Sequence, residues 1–240
     1  MSSSDLLNLG RTLHVGVLLM GGTTELLDIA PLDLIHGMAR GEFVHNFPDE
    51  IIPPNLKAQA LDIKFHWVNE TGKPARLTGG MNVQVTDTLE TCPRLDVALM
   101  GAHGYEYQPN EAELAFIRKT FESCKYFLCI CGGMMAPLQA GILHGRRATA
   151  PRMILQQLKK DVPDVDWTEK RWEHDDKLWT SGALLNGLDM MKAFAEEVLG
   201  GKEKGSLMSV LLDIGAWPVR DVMYKGHEGL GVVAGEENTV

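Results

Sequence analysis

The apolar run Tyr126-Phe127-Leu128-Cys129-Ile130 breaks at Cys131-Gly132-Gly133 and gives way to an apolar-periodic segment that runs to Gly141. That order predicts a buried strand, a sharp turn and a helix. A residue at such a turn is lifted out of the strand, and the first free backbone N–H groups of the following helix point at it. Those dipoles favour a thiolate, so Cys131 is a candidate low-pKa nucleophile. The competing reading is a small apolar cysteine that closes a core strand, since cysteine is buried more often than it is reactive. Gly132 and Gly133 favour the nucleophile, because they carry no side chain where a substrate must approach the backbone.

Two more apolar runs end in glycine-containing loops: His14–Met20 before Gly21-Gly22, and Leu95–Met100 before Gly101-Ala102-His103-Gly104. Glu111–Ser123, apolar at Leu114, Phe116, Ile117 and Phe121, reads as a helix between the last two strands. Strand and helix therefore alternate, as in a doubly wound α/β protein with a mostly parallel sheet. Loops at the carboxyl ends of such strands converge in one crevice, so those at Asp28, Gly101–Gly104 and Cys131 are expected to share a pocket. Pro31 is placed as the first residue of a helix carrying Leu32, Leu34, Ile35 and Met38, which leaves Asp28 in the preceding loop. On spacing alone Asp28 is a solvated or capping carboxylate.

Residues 41–60, rich in proline and turn formers, read as a loop, short insertion or lid. Ile63–Val68 alternates as a strand, and Met81–Thr86 as an edge strand or hairpin after the turn at Thr71–Pro74. Met153–Lys160 reads as a helix. Arg171–Thr180 is a two-stranded ribbon turning at Asp175-Asp176-Lys177, and Leu184–Leu199 is a long helix. Trp172 and Trp179 are assigned to core or dimer packing. Residues 1–10 form a polar lead-in. Residues 200–240, with a candidate helix over Ser206–Ile214, read as a peripheral, partly mobile tail, most loosely attached from roughly 226 on.

A chain of 240 residues suits one domain spanning 1–240 with ample core. Its net charge of −9, with no basic run longer than Arg146-Arg147 or Lys159-Lys160, argues against nucleic-acid and anionic-membrane partners. No stretch has the length of a bilayer span, and the first residues lack the pattern of a signal peptide. Four scattered cysteines point to reduced thiols and a cytoplasmic location. Cys129 and Cys131 lack a second ligand pair at metal spacing, so no metal and no cofactor is expected.

The run from Cys131 through Gly133, then Ala140-Gly141-Ile142-Leu143 and Gly145-Arg146-Arg147-Ala148-Thr149, resembles the isonitrile hydratase-like branch of the ThiJ/PfpI superfamily. Trp179-Thr180-Ser181-Gly182 with Gly187-Leu188-Asp189-Met190 is similar to that family's closing segment. The resemblance implies a class I glutamine-amidotransferase-like fold: a flavodoxin-like sheet with helices on both faces and a nucleophile elbow at Cys131. It further implies that Asp28 faces the cysteine, with Asp33 and Glu25 as alternatives, because the spacing to Pro31 is one residue shorter than in relatives. It assigns an oxyanion hole to the backbone of Gly101 or Ala102 together with Gly132, and a homodimer. From the residues themselves, Gly133 is a candidate substrate contact, and His103 in its glycine-rich loop is either a general base or substrate contact or a histidine tolerated in a surface turn. Several members use a histidine about twenty residues after the cysteine. Here Ala150-Pro151 stands in its place, and neither exchanges a proton.

One thiol, one acid and no imidazole fit hydration of an isonitrile, in which sulfur attacks carbon and the acid supplies the proton. A glyoxalase- or deglycase-type reaction on reactive aldehydes needs a further base, for which His103 is the candidate. A redox sensor or chaperone-like protein that uses Cys131 without turnover is the non-enzymatic alternative.

Overall fold

A parallel sheet runs through the middle of the chain, and the strands that build it are the apolar runs of the sequence. The computed structural model describes residues 6–230. In chain order, β1 (Leu13–Leu18) leads into α1 (Leu26–Ile29), a 3-10 turn at Ala30–Leu32 and α2 (Asp33–His36). Then come α3 (Glu42–His45), α4 (Pro54–Lys57), β2 (Ile63–Asn69), and the short strands β3 (Ala75–Arg76), β4 (Asn82–Val83) and β5 (Asp87–Thr88). The second half holds β6 (Val97–Met100), α5 (Glu111–Ser123), β7 (Tyr126–Cys129), a 3-10 turn at Cys131–Met134 and α6 (Met135–Gln139). It continues with β8 (Arg147–Ala148), α7 (Arg152–Asp161), β9 (Asp166–Trp167), β10 (Trp172–Asp175), β11 (Leu178–Ser181), α8 (Asn186–Val198) and α9 (Leu207–Ile214).

Seven strands form the main sheet in the order β10-β11-β7-β6-β1-β2-β5. All pairings are parallel except β10 with β11, an antiparallel ribbon turning at Asp176, whose φ is 54°. The chain leaves β1 first toward β2 and later returns to its other side with β6. The order therefore reverses at β1, and a crevice opens outside the carboxyl ends of β1, β6 and β7. This is the flavodoxin-like arrangement, with helices on both faces.

Alternation along the strands divides the core. Val15, Val17, Leu99, Leu128 and Trp179 face α8 and α9, while Leu18, Ala98, Met100 and Phe127 face α5, α6 and α7. The amino end of α5 is closed by a reciprocal cap: Asn110 Oδ1 accepts from Glu113 N–H, and Glu113 accepts from Asn110 N–H. Trp179 is buried and packs edge-on to Phe194, with Trp172 and His174 stacked beside it, so both tryptophans serve packing within the chain.

Three expectations need correction. Helical structure begins at Leu26, five residues before Pro31, which sits instead in the 3-10 turn between α1 and α2, where its missing N–H breaks the α ladder. Asp28 therefore lies in a helix. Residues 41–60 carry two one-turn helices, with Val44, Ile52 and Leu56 buried, so this segment packs on the core.

Within the stretch after residue 200, α9 is likewise not peripheral. α9 starts with Ser206 Oγ accepting from Ser209 N–H and buries Leu207, Met208, Leu211 and Leu212 in the α8 side of the core. At the other terminus Leu6 is buried in the same cluster. The parts of the assigned tails at 1–5 and 231–240 lie outside the described residues. Fully buried Met208 gives a direct measure: Met208→Ala should cost roughly 2–5 kcal/mol in urea unfolding. A cost under about 1 kcal/mol would mean that α9 is a dispensable appendage.

Candidate functional site

Cys131 follows β7 with φ 56°, a left-handed backbone that a non-glycine residue adopts only where its surroundings compel it. The compulsion comes from both neighbours. Cys131 N–H points to Ser181 Oγ at 3.4 Å, and Gly133 N–H donates to Ile130 O at 2.8 Å, closing the turn. Gly133 is buried, and a Cβ there would stand 2.3 Å from the Met100 carbonyl oxygen. Its lack of a side chain thus serves the close approach of the elbow to β6.

Asp28 is fully buried at the crevice wall. Its Oδ2 accepts from Ala102 N–H at 2.8 Å, and Oδ1 has no hydrogen-bond partner among the described residues. Gly101 makes this fit possible, since a Cβ there would fall 2.8 Å from Asp28 Cβ. Burial pushes the Asp28 carboxyl up to about 7, against the pull of the Ala102 bond, and the nearby charge of Glu25 adds to the rise. Asp33 is exposed on α2, and Glu25 is half-buried with its N–H on the Ala102 carbonyl. Of the three acids, Asp28 alone is both buried and coupled strongly enough to appear directly after burial among the influences on the Cys131 sulfur.

That sulfur is held up at about 11 by burial and by the Asp28 charge, while the backbone N–H groups of Leu184 and Gly132 pull the other way. The expectation of a low-pKa thiolate is therefore corrected. The turn after Cys131 is a 3-10 segment followed by one helical turn, too short to supply a large dipole, and desolvation wins. The oxyanion assignment divides similarly. Gly132 N–H faces the sulfur, and Gly101 serves as a clearance beside Asp28. Ala102 N–H is already bound to the Asp28 carboxylate, so it is no free donor for an oxyanion.

His103 lies in the neighbouring loop but turns away from a substrate role. Its Nε2 is 2.9 Å from the Leu19 carbonyl, its ring packs 5.3 Å from that of Tyr107, and burial lowers its proton affinity. Leu19 O also accepts from Thr24 Oγ1 at 3.2 Å, and Gly104 N–H donates to Thr23 O at 3.0 Å. His103 thus helps zip the loop after β6 to the loop after β1. At Ala150-Pro151 the first residue is buried and the second caps α7, leaving no proton carrier there.

Two contributors were not singled out in the sequence, although Ser181 lies in the Trp179–Gly182 segment noted there. Ser181 Oγ and the Leu184 N–H both address Cys131 from the turn after β11. Leu184 has φ 33°, a conformation leucine disfavours, and any residue carries a backbone N–H. Among the described residues no group of three or more His, Cys, Asp and Glu side chains is placed to hold a metal. The Asp28 carboxyl lies close enough to the Cys131 sulfur for its charge to raise the thiol's proton affinity.

The model of the DJ-1/PfpI family matches residues 48–197, a span that holds Cys131 but begins after Asp28. The chain is 31% identical over 153 residues to the isonitrile hydratase of Pseudomonas putida, a match covering 62% of this chain and 65% of that enzyme, less than two thirds of its length. Among solved structures, a ThiJ/PfpI family protein from Pseudomonas syringae superposes with a TM-score of 0.66 at 18% identity, over 88% of this chain and 77% of the other. Drosophila melanogaster DJ-1beta gives 0.64 at 13% identity over 87% and 100%, and an AraC family transcriptional regulator from Pseudomonas putida gives 0.62 at 11% over 84% and 98%. At those identities the likeness is one of fold.

The raised proton affinity of Asp28 has a measurable sign. Between the ordinary carboxylate range and about pH 7 the folded chain holds a proton that the unfolded chain has released. Stability therefore falls as pH rises through that window and levels off above it. Asp28→Asn is neutral throughout. In urea unfolding it should be more stable than wild type at about pH 8, by about 2 kcal/mol, with the gain fading toward about pH 4. A difference independent of pH would mean that Asp28 titrates as an ordinary solvated acid.

Proposed function

Because the chain belongs to the DJ-1/PfpI family, we propose that it is a cysteine-dependent hydratase of small isonitriles, with Cys131 as nucleophile and Asp28 as proton carrier. One observation carries the reading: the buried Asp28 carboxyl, pushed up to about 7, keeps one oxygen unpartnered beside a protonated thiol. As sulfur attacks the terminal carbon of R–N≡C, its proton passes to Asp28 and on to that carbon, giving the thioimidate R–N=CH–S–Cys131. Water, deprotonated by Asp28, adds to the same carbon. The nitrogen takes up a proton, the C–S bond breaks, and N-substituted formamide and free thiol leave. A group poised near neutrality can both accept and donate in this cycle.

The resemblance to the Pseudomonas putida isonitrile hydratase supports the same assignment. An aldehyde-isomerising reaction requires a second base, and His103 is committed to the Leu19 carbonyl. A peroxide sensor requires a thiolate-rich cysteine, which burial and Asp28 oppose here. A cytoplasmic homodimer without nucleic-acid or membrane partners and organised as one domain over 1–240 belongs to the same proposal. No described helix is long and apolar enough to cross a membrane.

The test is incubation with cyclohexyl isocyanide and, separately, methylglyoxal, following formamide and lactate by chromatography. Formamide should form with wild type. Cys131→Ala should abolish turnover, and Asp28→Asn should lower kcat by roughly 10²–10⁴-fold. Turnover of methylglyoxal alone, or formamide production surviving Cys131→Ala, would overturn the reading.

A further inference from the structure

The turn that addresses Cys131 from β11 does not hold its shape by itself. Leu184 sits at φ 33°, and a Cβ at Gly182 would lie 2.1 Å from Tyr224 Oη and 2.7 Å from Asn186 Oδ1. The segment 216–230 after α9 crosses over this turn and is tied to it at several points. Tyr224 Oη donates to Asn186 Oδ1 at 2.8 Å. Arg220 donates to the Leu185 carbonyl at 2.9 Å and forks onto the Asp189 carboxylate at 2.8 and 2.6 Å. The guanidinium groups of Arg152 and Arg171 lie over the Tyr224 ring, 4.8 and 4.9 Å from its centre. Arg171 in turn donates to the Asp221 carbonyl at 2.8 Å and its N–H to Glu228 at 2.6 Å.

We propose that Tyr224 and Arg220 are positioning residues, which clamp the turn Gly182–Leu185 so that Ser181 Oγ and the Leu184 N–H meet Cys131. The inference rests on Cys131 being the nucleophile, and it places a determinant of that cysteine's reactivity beyond residues 48–197, in a strap the family match does not cover. Neither residue touches substrate. Each acts through the backbone of the turn: without the clamp a leucine leaves the left-handed region for a relaxed conformation, which swings its N–H away from the sulfur.

Losing one N–H donor should lower the thiolate fraction about tenfold, offset in part by the greater nucleophilicity of a more basic sulfur, for a net fall of about threefold in alkylation rate. The experiment is iodoacetamide labelling of the full-length protein at about pH 8, with Cys131 modification followed by peptide mass spectrometry. Tyr224→Phe, which keeps the ring against the two arginines, and Arg220→Gln should each slow labelling about threefold, and Arg220→Lys should recover part of the loss. A strap that merely covers the site predicts the opposite sign, since loosening it would expose the sulfur and speed labelling. Unchanged or faster labelling in Tyr224→Phe and Arg220→Gln overturns the proposal.

The measurement needs no isonitrile. Clamp-dependent labelling in a protein that forms no formamide would sink the hydratase and leave the clamp standing. Formamide formation with labelling indifferent to both variants would sink the clamp alone.

Discussion

The interior carboxyl of Asp28 sets the terms for everything around it. An ionised carboxylate taken out of water without full hydrogen bonding is costly, and the group responds by holding its proton up to about pH 7. One N–H from Ala102 is the only bond it receives among the described residues, and that bond exists because Gly101 has no side chain to keep β6 and α1 apart. The loops after β1 and β6 are sewn together through Thr24, His103 and the Leu19 carbonyl, which fixes Ala102 where the carboxylate needs it. His103, a candidate substrate contact in the sequence, is part of this stitching.

The charge of the acid is felt at the sulfur. The Asp28 charge raises the proton affinity of the Cys131 thiol, so the sulfur ionises more readily when that carboxyl is protonated. Two backbone N–H groups then receive the negative sulfur. A buried thiol that rests protonated is better protected from oxidants than a standing thiolate.

The sheet was legible because apolar strands ending in glycine loops leave few alternatives. Tyr126–Ile130, Leu95–Met100 and Glu111–Ser123 map onto β7, β6 and α5, the last with its Asn110–Glu113 cap. Cys131 was legible from the same pattern. Asp28 was reached by resemblance, with Asp33 and Glu25 as alternatives; Asp28 is buried and Asp33 exposed, a difference that spacing does not carry. The start of the first helix was misread because Pro31 looks like a first-turn proline, whereas a 3-10 turn absorbs it inside a longer helical stretch. Low thiol pKa was misread because the order strand–glycine–helix says nothing of how deeply the sulfur is buried. Backbone donors such as Leu184 N–H leave no mark on a sequence at all.

Backbone strain is concentrated at the same end of the sheet. Of the non-glycine residues with positive φ, Met20 follows β1, Cys131 follows β7 and Leu184 follows β11, each just past a parallel strand's carboxyl end. Strain of that kind costs of order 1–3 kcal/mol per residue, and a buried carboxylate adds to it. Such a cluster persists only if the rest of the chain over-determines it. Here that work falls to packing on both faces of the sheet and to two elements that read as afterthoughts in the sequence, α9 in the core and the strap that carries Tyr224. Through Arg220 and Tyr224 the segment 216–230 is hydrogen-bonded to Leu185, Asn186 and Asp189 just after the turn that follows β11, and α9 packs in the core beside α8, so residues 207–230 add contacts at the strained end of the sheet that no local sequence pattern announces.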